Sequence, residues 1–495
     1  MHTLSEYRAA LDAAGLLLDA PSLPEAAIEC VSYDTRSIHG RSLFICKGAH
    51  FKVEYLYEAL ARGAAAYVSE VAYPVDAPCL RVRDVRHALV VLGRLYYNNI
   101  TDRLTTIGIT GTKGKTTTAF FVRAILNDWL RRSGKPDCAM LSSSRVYDGV
   151  VDEPSHITTP EVLELYQHFQ NAADSGITHM VMEVSSQALK YGRVRGMHFD
   201  VGCFTNLGAD HISPIEHPDF EDYYRSKLML FDMCGTACVN LDAERADETL
   251  HYARARCAVT TFGAQEDAQL CCRNVEKRAD GIYFTVESDG YNGEFSITMP
   301  GLFNVSNALA AMSVCAALGV PEEHVRAGLR RAHAEGRMQV YESRDGEVAV
   351  IVDYAHNRLS FDALFRSLRL EWPGRRVISV FGCPGGKALQ RRRDLGELGG
   401  QYSDHVYITE DDPGEEPLES ICADIARHVA CPHEILPDRE ECIRRAICTD
   451  TGRRIVVLAA KGEDKYMKRG TRYDDYDGDA ALAQKYLAIY EEAHK

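Results

Sequence analysis

Up to about residue 100, short apolar runs alternate with mixed stretches. Residues 42–46 read as a strand and residues 54–62 as a helix. The pattern then changes. The apolar run 104–110 predicts a buried strand, Gly111 and Gly114 interrupt it, and Phe121, Ala124, Ile125 and Trp129 follow on one face at helical spacing. A second apolar strand, 178–184, carries Glu183 near its end and runs into Ser185-Ser186. A third region begins near Gly336, where 348–352, 376–381, 405–408 and 454–459 read as strands separated by helical stretches. Strands alternating with helices predict an α/β protein with mostly parallel sheets, whose ligands sit at the carboxyl ends of the strands. A length of 495 residues suits three domains of roughly 150 residues, with expected spans 1–100, 101–335 and 336–495. The first is a small α/β domain, the second has a P-loop-type sheet and the last is Rossmann-like.

Composition narrows the function. No run of about 18 apolar residues is present, so membrane insertion is not expected. The first 18 residues contain Glu6, Arg8 and Asp12 and lack the basic start and apolar run of a signal peptide. Sixteen cysteines without metal or framework spacing read as free thiols, which points to the cytoplasm. A net charge of -15 argues against a nucleic-acid partner, yet leaves room for a local basic pocket that binds an anion. A monomer is expected.

The run from Gly108 to Thr118 follows a strand and opens a helix. Its glycines allow backbone N–H groups to curl around phosphate oxygens, and the helix N-terminus adds a positive field. Lys115 would reach the β- and γ-phosphates and Thr116 would ligate Mg²⁺. Ile109 stands where the strict P-loop has glycine, so this is a variant loop.

Gly111-Thr112-Lys113-Gly114-Lys115-Thr116-Thr117-Thr118 resembles the ATP loop of the Mur ligases, which usually carry Asn at the position of Lys113. The resemblance continues, motif by motif, along nearly the whole chain. It implies a three-domain ligase that binds UDP through its N-terminal domain. That ligase uses ATP to join an amino acid to the D-Glu of UDP-N-acetylmuramoyl-L-Ala-D-Glu in peptidoglycan synthesis, through an acyl phosphate. The resemblance makes Glu183 and His211 ligands of Mg²⁺. It makes Lys227 a lysine carbamylated by CO₂ that holds a second Mg²⁺. From its apolar surroundings alone, Lys227 reads as a stem snorkelling to solvent. Partial burial would favour the neutral amine that carbamylation needs.

Other positions carry over in the same way. Thr158 and Thr159, in His156 to Glu161, match the loop that holds the muramoyl-peptide. Ser185 and Arg193 match substrate contacts. Gln187 and Tyr191 depart from the family's usual His and Gln. Thr35 and Arg36 resemble the uridine-binding turn, followed by a departing run, Lys47-Gly48-Ala49-His50-Phe51. Asn304 and Asn307 match the residues that read the ATP base, and either amide also suits a helix cap. Arg337 matches the hinge arginine that approaches the γ-phosphate. Asp353 and His356 match nucleotide contacts of the last domain, so closure around ATP is expected.

The incoming amino acid is read from one motif. Relatives that add diaminopimelate carry D-N-P-R, whose Arg clamps the distal carboxylate. Here Asp411-Asp412-Pro413-Gly414 lacks it, and Glu410, Glu415 and Glu416 lie nearby. With Glu463 and Asp464, a carboxylate-rich pocket suits a side-chain ammonium, hence L-lysine or ornithine, with meso-diaminopimelate as the alternative. Arg392 matches a family arginine of this domain, which would bind the amino acid's α-carboxylate or only face solvent among its basic neighbours. A folate-extending ligase shares the phosphate loop but not the uridine-like turn or the acidic run. A nucleotide-operated switch or silent binding subunit is the competing class, and the Mg²⁺ ligands and Lys227 weigh against it.

Overall fold

The computed structural model describes residues 1–21, 25–48, 51–155, 157–213, 216–334, 336–462 and 464–494. The fold is α/β, carried by three main sheets. The first has five strands in the order Leu17–Asp19, Cys79–Val82, Ala64–Ser69, Ser42–Ile45 and Cys30–Ser32. All neighbours are parallel except the first pair. The predicted helix at 54–62 is Val53–Ala61, which buries Leu56 and Ala59. Among the described residues, no helix is long and apolar enough to cross a membrane.

The second sheet has eleven strands. Its parallel centre runs Ala139–Leu141, His179–Glu183, Thr105–Thr110, Phe199–Phe204, Cys234–Asn240, Ala258–Gly263 and Leu270–Arg278. Antiparallel strands extend both edges: Arg145–Tyr147 and Asp152–Pro154 on one side, Gly281–Glu287 and Gly293–Ile297 on the other. Thr105–Thr110 lies between His179–Glu183 and Phe199–Phe204, parallel to both. Their carboxyl ends therefore deliver Gly111, Val184 and Thr205 side by side. The helix Lys115–Arg132 packs Phe121, Val122 and Ile125 into a core with Ile107, Ile109 and the fully apolar side of Asn304–Ala317. Burial of such side chains contributes about 1.5–3 kcal/mol each, which fixes the loop between strand and helix.

The third sheet has six strands in the order Gln339–Glu342, Val348–Asp353, Arg454–Ala459, Arg376–Phe381, His405–Ile408 and His433–Ile435, parallel except at the first pair. The four strands expected from the pattern are present here. A hairpin, Tyr466–Arg469 with Arg472–Asp475, lies outside this sheet. The central and C-terminal sheets share one apolar core, which includes Ala308 and Met312 on one side and Phe361 and Phe365 on the other. The backbone N–H of Leu302 donates to Ser367 Oγ at 2.6 Å and to Glu371 Oε1 at 3.0 Å, seating the start of Asn304–Ala317 on the helix Arg358–Glu371.

Candidate functional site

A cavity of about 530 Å³ opens between the carboxyl ends of the central strands and the C-terminal sheet. That is within the size range of small-ligand sites. The phosphate-type loop forms one wall, through residues 112–117. Gly111 and Gly114 turn it with φ of +144° and +82°. The helix Lys115–Arg132 starts without a side-chain cap, so its first-turn amides are available to a ligand. The loop is pinned from the neighbouring strand. Lys113 N–H donates to Asn206 Oδ1 at 2.8 Å, and Lys113 O accepts from Thr205 Oγ1 at 2.7 Å and Asn206 Nδ2 at 2.9 Å. Lys115 Nζ donates to the carbonyls of Gly111 and Thr112, at 3.0 and 3.3 Å.

Lys227, on the helix Phe220–Leu228, donates to that same Gly111 carbonyl at 2.8 Å from below the loop. It is 1% exposed, so it does not snorkel. Its Nζ lies 4.4 Å from the centre of the Tyr223 ring, whose hydroxyl donates to Thr112 Oγ1 at 3.2 Å. Burial, reinforced by the Lys115 charge, pushes the Lys227 ammonium well below its ordinary range. Lys227 does not line the cavity itself.

Candidate metal donors meet behind the loop. Thr116 Oγ1 donates to Glu183 Oε1 at 2.8 Å, and the backbone N–H of Ser143 reaches the same oxygen at 2.8 Å. Ser143 Oγ is 3.0 Å from Thr116 Oγ1. Glu183 is 1% exposed but lines the cavity. Hydroxyl and carboxylate oxygens are the hard donors that Mg²⁺ takes, usually with phosphate and water completing the shell. Among the described residues no group of three or more His, Cys, Asp or Glu is placed to hold a metal ion by itself. His211 also lines the cavity, in the left-handed region at φ +57°, with its Nδ1 2.8 Å from Glu216 Oε1.

The rest of the cavity wall is made by other elements. Asn307 Nδ2 donates to Asn304 Oδ1 at 2.9 Å, and Asn304 Nδ2 to Pro300 O at 2.6 Å, so the two amides orient one another at the cavity wall. Neither caps its helix with a side chain. From the C-terminal body come Arg337, Asp353 and His356. Asp353 Oδ2 accepts from Met338 N–H at 2.8 Å, and burial raises its carboxyl above the usual range. Arg337 lies over the Tyr354 ring, 4.6 Å from its centre. His356 Nδ1 is 2.7 Å from the Tyr354 carbonyl and must donate to it. Burial and the nearby Lys113 charge hold His356 well below its ordinary pKa, so it is neutral and its Nε2 accepts from Lys113 Nζ at 3.0 Å.

Burial, partly offset by Asp210, pulls Lys113 down to about 8. The cation is thus present below that pH and lost above it. Triphosphate binding is expected to weaken as pH rises through about 8. Lys113→Arg, whose guanidinium stays charged, should move that limb to higher pH. Calorimetric titration across the pH range measures both.

Asp210, Arg391, Ser143, Asn206 and Tyr223 carry much of this geometry and were not singled out in the sequence. Asp210 receives Asn357 Nδ2 at 2.5 Å and Arg391 Nη2 at 3.0 Å from the C-terminal body, and lies 3.4 Å from Lys113 Nζ. Burial opposes its charge, but Lys113, His211 and Arg391 hold it well below the usual carboxylate range.

The muramoyl-loop candidates lie together. Thr158 lines the cavity. Thr159 Oγ1 donates to Glu183 O at 2.9 Å and accepts from Ser185 N–H at 3.1 Å. Ser185 caps the short helix Ser186–Lys190. Arg193 Nη1 donates to Thr159 O at 3.1 Å, while its Nε pairs with Glu161 at 2.7 Å. Lys47, from the first sheet's domain, closes on that same Glu161. His156, Ala49 and His50 lie outside the described residues. Thr35 Oγ1 donates to Glu58 at 3.0 Å, and Arg36 pairs with Asp34 while its side chain stays 84% exposed. Neither residue lines the cavity.

The carboxylates of the expected amino-acid pocket are largely paired within the chain. Glu410 is held by Arg469 at 2.7 Å, Asp412 by the buried Lys461 at 2.8 Å, and Glu416 by Arg392 at 2.6 Å. Glu415 is exposed. Arg392, which the sequence left open to a substrate carboxylate or to solvent, is buried and paired with Glu416. Asp464 is 3.6 Å from Lys461. Asp411 is the buried member of this group that forms no salt bridge among the described residues, and burial pushes it up to about 6. Glu463 lies outside the described residues.

Residues 109–315 match the Mur ligase middle domain and residues 336–462 the Mur ligase, glutamate ligase domain. The chain is 36% identical over 489 residues to a UDP-N-acetylmuramoyl-L-alanyl-D-glutamate–L-lysine ligase of Streptococcus pyogenes, covering 97% of both chains. It is 36% identical over 463 residues to the enzyme of the same name from Streptococcus thermophilus, covering 92% of both. Among solved structures, a UDP-N-acetylmuramoyl-L-alanyl-D-glutamate–2,6-diaminopimelate ligase superposes with a TM-score of 0.65 at 24% identity, over 96% of this chain and 97% of that one.

Proposed function

The chain belongs to the Mur ligase family, and from that premise we propose that it is the ligase that adds L-lysine to the D-Glu of UDP-N-acetylmuramoyl-L-Ala-D-Glu at the expense of ATP. A carboxylate does not react with an amine until it has a better leaving group than hydroxide. One oxygen of the D-Glu carboxylate attacks the γ-phosphorus, the bond to the bridging oxygen breaks, and ADP leaves. The lysine amine then attacks the acyl carbon, the carbon–oxygen bond to phosphate breaks, and the ammonium proton is lost.

The observation that carries this reading is the meeting in one cavity of Lys113, Lys115, Thr116 and Glu183 with Arg337, Asp353 and His356. Two anions must approach in the first step, and preorganised cations lower that barrier. Lys113, Lys115 and the loop amides hold the triphosphate, Arg337 approaches it from the opposite body, and Asn304 and Asn307 orient the base. Mg²⁺, held through Thr116, Glu183 and His211, would neutralise charge on the phosphates. The finer reading places a second Mg²⁺ beside a carbamate on Lys227, whose burial favours the neutral amine that adds CO₂. Arg193 and Thr159 orient the peptide, and Thr35 and Arg36 the uridine end.

Lysine is favoured by the relatives' substrate and by Gly414, where a distal carboxylate would find no guanidinium. Asp411, which forms no salt bridge among the described residues, is the carboxylate offered to a substrate ammonium, with Asp412 and Asp464, and with Glu463 added on the sequence alone. The test is a panel of amino acids with UDP-N-acetylmuramoyl-L-Ala-D-Glu, read by product mass and phosphate release. Lysine is expected to give amide and phosphate together, at a kcat/KM at least about tenfold above meso-diaminopimelate. Incorporation of diaminopimelate and not lysine would overturn the substrate assignment. Phosphate release on ATP alone, without amide, would favour a nucleotide switch.

A further inference from the structure

Three consecutive arginines, Arg391, Arg392 and Arg393, lie at the start of the helix Gln390–Tyr402, and their side chains part at once. Arg392 grips Glu416 through two nitrogens, at 2.9 and 2.6 Å. Arg393 bonds Glu397 at 2.8 Å one turn along, with 61% of its side chain exposed. Arg391 is the one that enters the cavity facing the phosphate loop. Its side chain is 17% exposed, its Nη2 is 3.0 Å from Asp210 Oδ1, and its buried Nε–H meets no acceptor among the described residues.

Asp210 is therefore shared. It faces Lys113 of the loop at 3.4 Å and receives Arg391 and Asn357 from the C-terminal body. One carboxylate serves two cations, so the cavity keeps a surplus of positive charge at its phosphate end, with Lys115 beside it. A planar guanidinium with donors to spare suits the oxygens of a phosphoryl group better than a point charge does.

We propose that Arg391 is a further catalytic residue of the first step, binding the transferring phosphoryl group from the side opposite the loop, and that Asp210 is its positioning residue. The inference rests on the ligase reading. As the D-Glu oxygen bonds to the γ-phosphorus and the bridging oxygen departs with ADP, negative charge spreads over the three equatorial phosphoryl oxygens. Lys113 and Lys115 meet it from the central sheet and Arg391 from the C-terminal one. The two bodies meet at Asp210, which receives Arg391 and Asn357, so the guanidinium is already aimed when the phosphoryl group arrives.

The experiment follows the first step without the second. The full chain is mixed with ATP, Mg²⁺ and UDP-N-acetylmuramoyl-L-Ala-D-Glu, and hydroxylamine in place of the amino acid traps the acyl phosphate as a hydroxamate. Arg391→Ala is expected to lower hydroxamate formation by at least about 100-fold, with amide formation falling in parallel. Arg391→Lys should recover part of the rate, and Arg393→Ala should match the wild type. Asp210→Asn should lower kcat with little change in the KM for lysine. Wild-type hydroxamate formation in Arg391→Ala, with only the KM for lysine raised, would overturn the proposal and move Arg391 to the amino-acid site. Failure of the ligase reading looks different: the wild type would then yield no amide with any amino acid. Should Arg391→Ala fail to fold, Arg391→Lys and Arg391→Gln decide, because equal rates in those two would also overturn it.

Discussion

Lys227→Ala is expected to lose amide formation by about a thousandfold, the upper range for removing one preorganised electrostatic group, and added bicarbonate is not expected to restore it. The reason is local. Lys227 is wholly enclosed, bonded to Gly111 O, and stacked on Tyr223. Enclosure disfavours the charged form, and the neighbouring Lys115 disfavours it further. A neutral amine is the form that attacks CO₂, giving a carbamate anion and releasing a proton. That change replaces a cation beside the phosphate loop by an anion able to bind metal. Gly111 O keeps its bond from Lys115 in the variant, so the loop loses one of two donors and its fold should survive. Three measurements separate the readings. Thermal unfolding should shift little. Wild-type activity should fall when dissolved CO₂ is stripped and return with bicarbonate. Carbon-13-labelled CO₂ should give a carbamate signal in the wild type that Lys227→Ala lacks. Full activity in the alanine variant would remove this lysine from the chemistry, and CO₂-independent wild-type activity would leave it only its bond to the loop.

The parts of this site that were legible in the sequence are those that follow each other closely in the chain. Strand, two glycines, Lys-Thr and helix occupy residues 105–132, and apolar periodicity alone places the loop between them. The C-terminal strands were equally plain, because a strand buried on both faces is written as a continuous apolar run. Leu270–Arg278, the last strand of the parallel centre, and the antiparallel strands beyond it were not, since a half-exposed strand such as Leu270–Arg278 carries a charged outer half. Partnerships between distant residues were not legible either. Nothing in a row of three arginines says that Arg392 will be satisfied by Glu416 while Arg391 reaches Asp210, 181 positions away. The partners of the acidic run at 410–416 were hidden for the same reason. Its cations, Arg469, Lys461 and Arg392, lie on other elements, and only folding brings them to it. From its apolar surroundings alone Lys227 read as a snorkelling lysine, and only the resemblance pointed away from that; its enclosure beneath the loop appears in the fold. Local pattern thus specified the scaffold, whereas pairing across the fold decides which charges remain for a substrate.

Gly111→Ala should cost about 2–4 kcal/mol of folding stability and weaken nucleotide binding at least tenfold. At φ +144° an L-residue is strained whatever the space, and here there is no space. A methyl group would stand 2.0 Å from Thr205 Oγ1 and 3.1 and 3.2 Å from the backbone N and O of Asn206. These are the groups that pin the loop. Thr205 Oγ1 holds Lys113 O, and Asn206 O accepts from Thr112 N–H at 3.0 Å. The loop could admit the methyl only by lifting off the end of Phe199–Phe204. Lifting would misplace Lys113 and Lys115 together and break the carbonyl contact that Lys227 makes. Denaturant unfolding and calorimetric titration with a triphosphate measure the two effects. Thr205→Ala in the same chain removes the sharper clash but leaves the backbone strain, so it should return part of the stability and little of the affinity, because the bond to Lys113 O is gone as well. An alanine variant that unfolds like the wild type yet fails to bind would show that rigidity is not what the glycine supplies, and that open space for a phosphoryl oxygen is.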